Sequence, residues 1–187
     1  PYVFRNCTDL KSFSVDKDNP VYKMVDGWLI ENGTTLHSCP ILQEAEKLVV
    51  SEGITEIARY AVSMYSIRGL KEVVLPSTLK KIGASAFGRL EKIICNATEP
   101  AELVIEGSEE KYWYPFDEET FDIATLYVPL GSKEKYMAAE GWKMFKNIVE
   151  IEEQPELNDG DWFMGKTAEG LDMNFQVISA KDKTCQV

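Results

Sequence analysis

Residues 109–122, EEKYWYPFDEETFD, gather the side chains with the most chemical potential in the chain. Paired carboxylates at such density can serve as general acid and base without a histidine. Tyr112, Trp113, Tyr114 and Phe116 add the flat aromatic faces found in sugar-binding clefts. The competing reading, which the spacing favours, is a long loop whose aromatics pack inward while its acids face water. His37 is the sole histidine. It falls in an expected hairpin strand, where a lone imidazole is a surface or packing residue, and a Ser-His-Asp arrangement has no other base to draw on. Asp16, Asp18 and Asn19 resemble a calcium loop faintly, but the glycine and distal glutamate of an EF-hand are missing, so a solvated turn is expected. Cys7, Cys39, Cys95 and Cys185 lie far apart, without a CxxC pair. That spacing favours free, mostly buried thiols over a disulfide framework or a zinc site. Asn6, Asn32 and Asn96 each begin an N-x-T triplet, which turn-forming asparagine explains. Neither a metal site nor a cofactor is expected, and the chain reads as something other than an enzyme.

The 187 residues suit one medium domain with a fragment of another. With 20 Lys and Arg against 31 Asp and Glu, the formal charge is −11. Such a chain repels phosphate backbones, which excludes nucleic acid as an expected partner. No apolar run approaches the length of a membrane span, and no signal peptide is visible. The opening PYVFRNC and the strand-like close FQVISAKDKTCQV suggest a segment of a longer, multi-repeat protein.

Internal similarity organises the rest. Setting residues 49–62 (VVSEGITEIARYAV) beside 74–87 (VLPSTLKKIGASAF) at an offset of 25 aligns Val50 with Leu75, Ile54 with Leu79, Ile57 with Ile82, Ala61 with Ala86 and Val62 with Phe87. Apolar positions recur while the polar residues between them change. LKSFSV (10–15), LKEVVL (70–75) and LEKIIC (90–95) share the frame Leu-x-x-apolar-x-apolar, with a weaker copy in TLYVP (125–129). The expected fold is a right-handed leucine-rich-repeat solenoid, mostly β and irregular, with one parallel strand stacked per repeat and one C-terminal capping helix.

LPSTLKKIGASAF resembles the BspA-like leucine-rich repeats of bacterial cell-surface proteins. NPVYKMVDGWLIENGTTLHSCP is similar to the hairpin insertion of that family, and ATLYVPLGSKEKYMAAEGWKMFKNIVEI to its closing unit. The resemblance covers residues 2–151, with Val62 where the family usually has Phe and a longer, more acidic stretch over 97–122. It implies a cell-surface or secreted setting.

Residues 1–151 are therefore expected to form the solenoid. Within it, 21–39 make a strand meander turned at Asp26-Gly27 and Asn32-Gly33. Strands near 47–50, 72–75, 92–95 and 125–128 should align in parallel. Residues 125–151 form the closing unit, with Ser132 capping a helix over 133–140, Gly141 ending it, and Trp142 and Phe145 covering the final apolar edge. Residues 152–161 read as an acidic linker. Residues 162–187 begin a further β unit, Trp162 to Thr167 pairing with LDMNFQVI across Glu169-Gly170.

Strand alternation then assigns an outward face. If Val73 and Leu75 point inward, Glu72 and Val74 point out. Carried across the strands, one outward row is Lys47, Glu72, Lys92 and Thr125, and the other is Val49, Val74, Ile94 and Tyr127. An apolar row rimmed by charge commonly marks an interaction surface. The candidate partner-binding residues are Val49, Glu72, Val74, Lys92, Ile94 and Tyr127. The expected function is non-catalytic protein binding or adhesion through this face. The alternative is a carbohydrate-binding or carbohydrate-active protein using residues 109–122.

Overall fold

The computed structural model describes residues 13–25, 27–38, 43–62, 67–108 and 111–151, together with three strands farther on at 162–166, 172–179 and 184–186. The chain divides into two compact units, residues 1–152 and 153–187.

Two larger sheets build the first unit. One is wholly parallel, in the order Asn147–Ile151, Thr125–Pro129, Lys92–Cys95, Glu72–Leu75, Lys47–Val49. The other is mixed. The strands Tyr22–Val25, Trp28–Glu31 and Thr35–Ser38 form an antiparallel meander, and Thr35–Ser38 then pairs in parallel with Glu56–Ile57, followed by Lys81–Ile82 and Glu102–Leu103. The short strands Gln43–Glu44 and Ile67–Arg68 pair in parallel separately.

This corrects the expected fold class. The chain is a mixed-sheet protein with a mostly parallel arrangement and few helices, rather than a solenoid with one strand per repeat and a single capping helix. The physical reason lies in the second half of each 25-residue segment. It supplies its own strand, hydrogen-bonded into a sheet that also contains the antiparallel meander. A further helix, Glu118–Ile123, lies outside the closing unit. The offset of 25 nevertheless sets the register, with Ile57 opposite Ile82 and Val62 bridging Phe87 in parallel. Polar rungs share it: the Glu52 carboxylate accepts from the Ser77 N–H (2.9 Å) and hydroxyl (2.8 Å), and Lys71 reaches Glu46 at 2.7 Å.

Gly83 marks a close approach between neighbouring segments. Its N–H donates to the Ile57 carbonyl at 2.8 Å, and a Cβ there would lie 2.5 Å from the Arg59 nitrogen. At the meander, Asn32 (φ 51°) and Gly33 (φ 76°) adopt the left-handed conformation a tight hairpin turn requires. Asp26 of the other expected turn lies outside the described residues.

Both sheets feed one apolar cluster. Leu48, Val73, Leu75, Ile93, Leu126 and Val128 come from the parallel sheet, and Leu36, Ile57, Ile82 and Leu103 from the mixed one. The closing residues complete it. Trp142 and Tyr136 are fully buried, and Phe145 nearly so. The Trp142 indole N–H donates to the Ala101 carbonyl at 2.6 Å, and the Tyr136 hydroxyl to the Ala97 carbonyl at 2.8 Å. The helix here spans Lys133–Ala138, shorter than expected, and Ser132 takes its N-cap position without a side-chain capping hydrogen bond. Ser132 already has helical dihedrals (φ −103°, ψ −13°), whereas a capping side chain needs an extended backbone. The Lys133 N–H is met instead by the Glu150 carboxylate at 3.0 Å. Gly141 (φ 79°) does not end this helix but turns the chain into the 3-10 helix Trp142–Met144.

In the second unit, Trp162–Lys166 pairs antiparallel with Asp172–Ser179, which also pairs with Thr184–Gln186. The linker and the turn at Glu169-Gly170 lie outside the described residues. No helix among the described residues is long and apolar enough to cross a membrane.

Candidate functional site

The six residues assigned to the outward face sit on four neighbouring strands of the parallel sheet. Alternation separates them from the core: Leu48, Val73, Ile93 and Leu126 are buried, while Val49 is 60% exposed and Val74, Ile94 and Tyr127 are half-buried. Direct pairing of Val49 with Val74, Val74 with Ile94 and Ile94 with Tyr127 makes the apolar row continuous. The structure lengthens it by one residue that the sequence reading missed. Tyr127 pairs with Val149 on the outer strand, and Val149 is exposed. Alternation in NIVEI (147–151), with buried Ile148 between exposed Asn147 and Val149, was the available signal.

Beside this row runs a charged ladder. Glu72 lies between Lys47 (2.7 Å) and Lys92 (3.4 Å). The hydrogen bond from Lys47 is the main cause holding the Glu72 carboxyl below the usual carboxylate range; partial burial opposes it and Lys92 assists. Lys92 also sits over the Tyr127 ring, 5.4 Å from its centroid, joining the two rows. Asn147 continues the polar row by donating to the Thr125 hydroxyl at 2.7 Å. The charges on this face are thus largely matched among themselves.

The acidic and aromatic segment separates into parts. Phe116 and Phe121 are buried and pack with Trp142 and Phe145, Phe116 at 5.9 and 5.6 Å and Phe121 against Phe145 at 4.9 Å. Asp117 caps the helix Glu118–Ile123 by accepting from the Glu119 N–H. Glu119 pairs with Arg89 at 3.2 Å, and Asp122 with Lys146 at 3.0 Å. Tyr112 and Trp113 instead stay exposed, on a hairpin formed by Glu106–Ser108 and Lys111–Trp113. Glu109 and Glu110 lie outside the described residues.

The remaining candidates have structural employment. His37 meets Tyr22 edge to face at 5.6 Å and lies 3.3 Å from the Ser38 hydroxyl, with burial as the main cause lowering its pKa. Asp16 and Asn19 accept from the backbone of residues 18, 21 and 22, forming a turn of their own. Cys95 is a free, buried thiol; Cys7, Cys39 and the Cys185 side chain lie outside the described residues. Burial pushes the Cys95 pKa up to about 12, against a smaller opposing effect of the Tyr136 hydroxyl. Since the thiolate is the nucleophile, Cys95 should resist iodoacetamide near about pH 8 in the native chain and react only after unfolding. Mass-spectrometric mapping checks this, and native labelling of Cys95 at the rate of a free peptide thiol would contradict its burial.

No family model, curated protein or solved structure matches the chain.

Proposed function

We propose that this chain is a non-catalytic binding module that engages a protein partner through the outward face of its parallel sheet. The observation that carries this reading is the unbroken apolar row Val49, Val74, Ile94, Tyr127 and Val149, flanked by the Lys47–Glu72–Lys92 ladder. A row of this kind gains by leaving water, and the flanking charges orient the partner more than they hold it. A non-catalytic role is supported by the employment of the acids: Asp117, Glu119 and Asp122 serve as a helix cap and ion-pair partners. The resemblance of residues 2–151 to repeats of bacterial surface proteins supports a cell-surface or secreted setting for the same module.

Val74→Lys tests the reading. Val74 is half-buried on the outward face, and a lysine stem can lie along the sheet with its ammonium in water. The variant should keep the parent circular dichroism spectrum. Its affinity for whichever protein the parent captures from a panel of purified extracellular-matrix proteins should fall about tenfold or more, as for a central interface position. Undiminished binding in a folded variant would remove the face from consideration.

A further inference from the structure

We infer that the closing unit carries an anion site, separate from the outward apolar row, that takes a small phosphomonoester with an apolar body. A cavity of about 260 Å³ opens there, and Lys133, Lys143 and Lys146 line it together with Met137, Phe145 and Ile148. Three stretches of chain meet at it. Lys133 and Met137 stand four residues apart on the helix Lys133–Ala138 and so share a face. Lys143 comes from the 3-10 helix Trp142–Met144, and Lys146 immediately precedes the strand Asn147–Ile151. Residues 133–146 hold four lysines and two glutamates, in a chain with 20 Lys and Arg against 31 Asp and Glu. The local charge is thus opposite in sign to that of the whole chain.

The lysines of the cavity also differ from others in having few acid partners. Lys47, Lys71, Lys81, Lys92 and Lys135 are each paired with a glutamate. Lys133 and Lys143 have no ion pair among the described residues, and no Asp or Glu is among the described residues lining the cavity. Glu150 accepts from the Lys133 main-chain N–H rather than from its ammonium. Lys146 is shared with Asp122 at 3.0 Å. Two uncompensated positive charges and a third partly compensated one, beside one concave surface, favour an anion. The frame beneath them is fixed. Tyr136 and Trp142 are fully buried, and the Lys143 and Lys146 N–H groups donate to the Ala139 and Phe121 carbonyls, each at 3.0 Å. A site held in this way loses little entropy when a ligand arrives.

Charge, surface and size select the ligand class. Lysines act as point charges and gain most from an anion of high charge. A phosphomonoester brings about −1.5 to −2 charges at pH 7 and three acceptor oxygens, one for each lysine. A carboxylate brings a single charge and two oxygens. The apolar lining, with Met137 49% exposed, gives the organic body of an ester a surface that inorganic phosphate cannot use. The cavity is smaller than the roughly 300–1,000 Å³ of pockets for drug-sized ligands, so the occupant is a small ester.

Isothermal titration calorimetry of the full chain with phenyl phosphate, in a low-salt buffer free of phosphate, tests the site. Saturable binding is expected, with a dissociation constant of about 1 mM or below. Benzoate and inorganic phosphate should each bind more weakly, the first for want of charge and the second for want of an apolar body. Lys133→Gln and Lys143→Gln should each weaken phenyl phosphate binding about threefold or more. Asp122→Asn, which releases Lys146, should tighten it about twofold. Lys80→Gln, an exposed lysine that does not line the cavity, should bind as the parent does. Absence of saturable phenyl phosphate binding would overturn the proposal. So would parent-like affinity in folded Lys133→Gln and Lys143→Gln variants, an equal loss in Lys80→Gln, weaker binding by Asp122→Asn, or benzoate or inorganic phosphate binding as tightly as the ester.

Discussion

Trp142→Ala is expected to cost about 3–5 kcal/mol of stability, the usual range for removing a large buried aromatic. Trp142 has no solvent exposure. Its ring contacts Tyr136, Phe116 and Phe145 at centroid distances of 5.2, 5.9 and 5.9 Å. Truncation opens a cavity among residues that are themselves fixed by strand and helix, so collapse around it is limited. It also strips the Ala101 carbonyl of its indole donor, and a buried acceptor left unmet adds about 1–3 kcal/mol. Trp142→Phe narrows the comparison, since it keeps one aromatic ring in the site while losing the donor and the remainder of the indole. Urea unfolding of the full chain, followed by circular dichroism, gives both differences. A loss below about 1 kcal/mol for the alanine variant would show that the closing residues are not part of the cooperative core.

The parallel sheet was legible because its strands are three to five residues long and alternate visibly. Leu48, Val73, Ile93 and Leu126 fall at matching places in their frames, and the lysines on either side of Glu72 reinforce the register. The same alternation placed the outward rows. The mixed sheet was not legible as a sheet. Its strands Glu56–Ile57, Lys81–Ile82 and Glu102–Leu103 have two residues each, too few for any period to show. The sequence comparison found Ile57 opposite Ile82 but carried no sign that both join the meander through Thr35–Ser38. The expectation of one strand per repeat, and with it the fold class, failed on this point. Within 109–122, density of aromatics could not say which rings turn inward. That is decided by a hairpin pairing at Glu106 and a helix capped by Asp117, and neither leaves a strong local pattern. Arg59 meets Glu106 from 47 positions earlier in the chain, so no local motif could point to that ion pair.

Phe87→Ala should also destabilise the chain by about 3–5 kcal/mol, through a different set of contacts. Phe87 is buried and bridges Val62 in parallel at the offset of 25. Its ring stacks on Phe116 at 5.5 Å with an interplanar angle of 11°, and its N–H donates to the Pro115 carbonyl at 2.9 Å. The backbone bond survives substitution, so the loss measures packing. Phe116 has Trp142, Phe121 and Phe145 as further neighbours and cannot follow the receding side chain without breaking those contacts. A cavity should therefore persist, which puts the cost toward the upper end of the range. Phe87→Leu, closer in volume, should cost under about 1.5 kcal/mol. The ordering of the two variants matters more than either value, because surface positions show no such dependence on volume. Equal stabilities for the alanine and leucine variants, or a loss below about 1 kcal/mol for alanine, would mean that residue 87 is not interior and that the 25-residue alignment is misplaced.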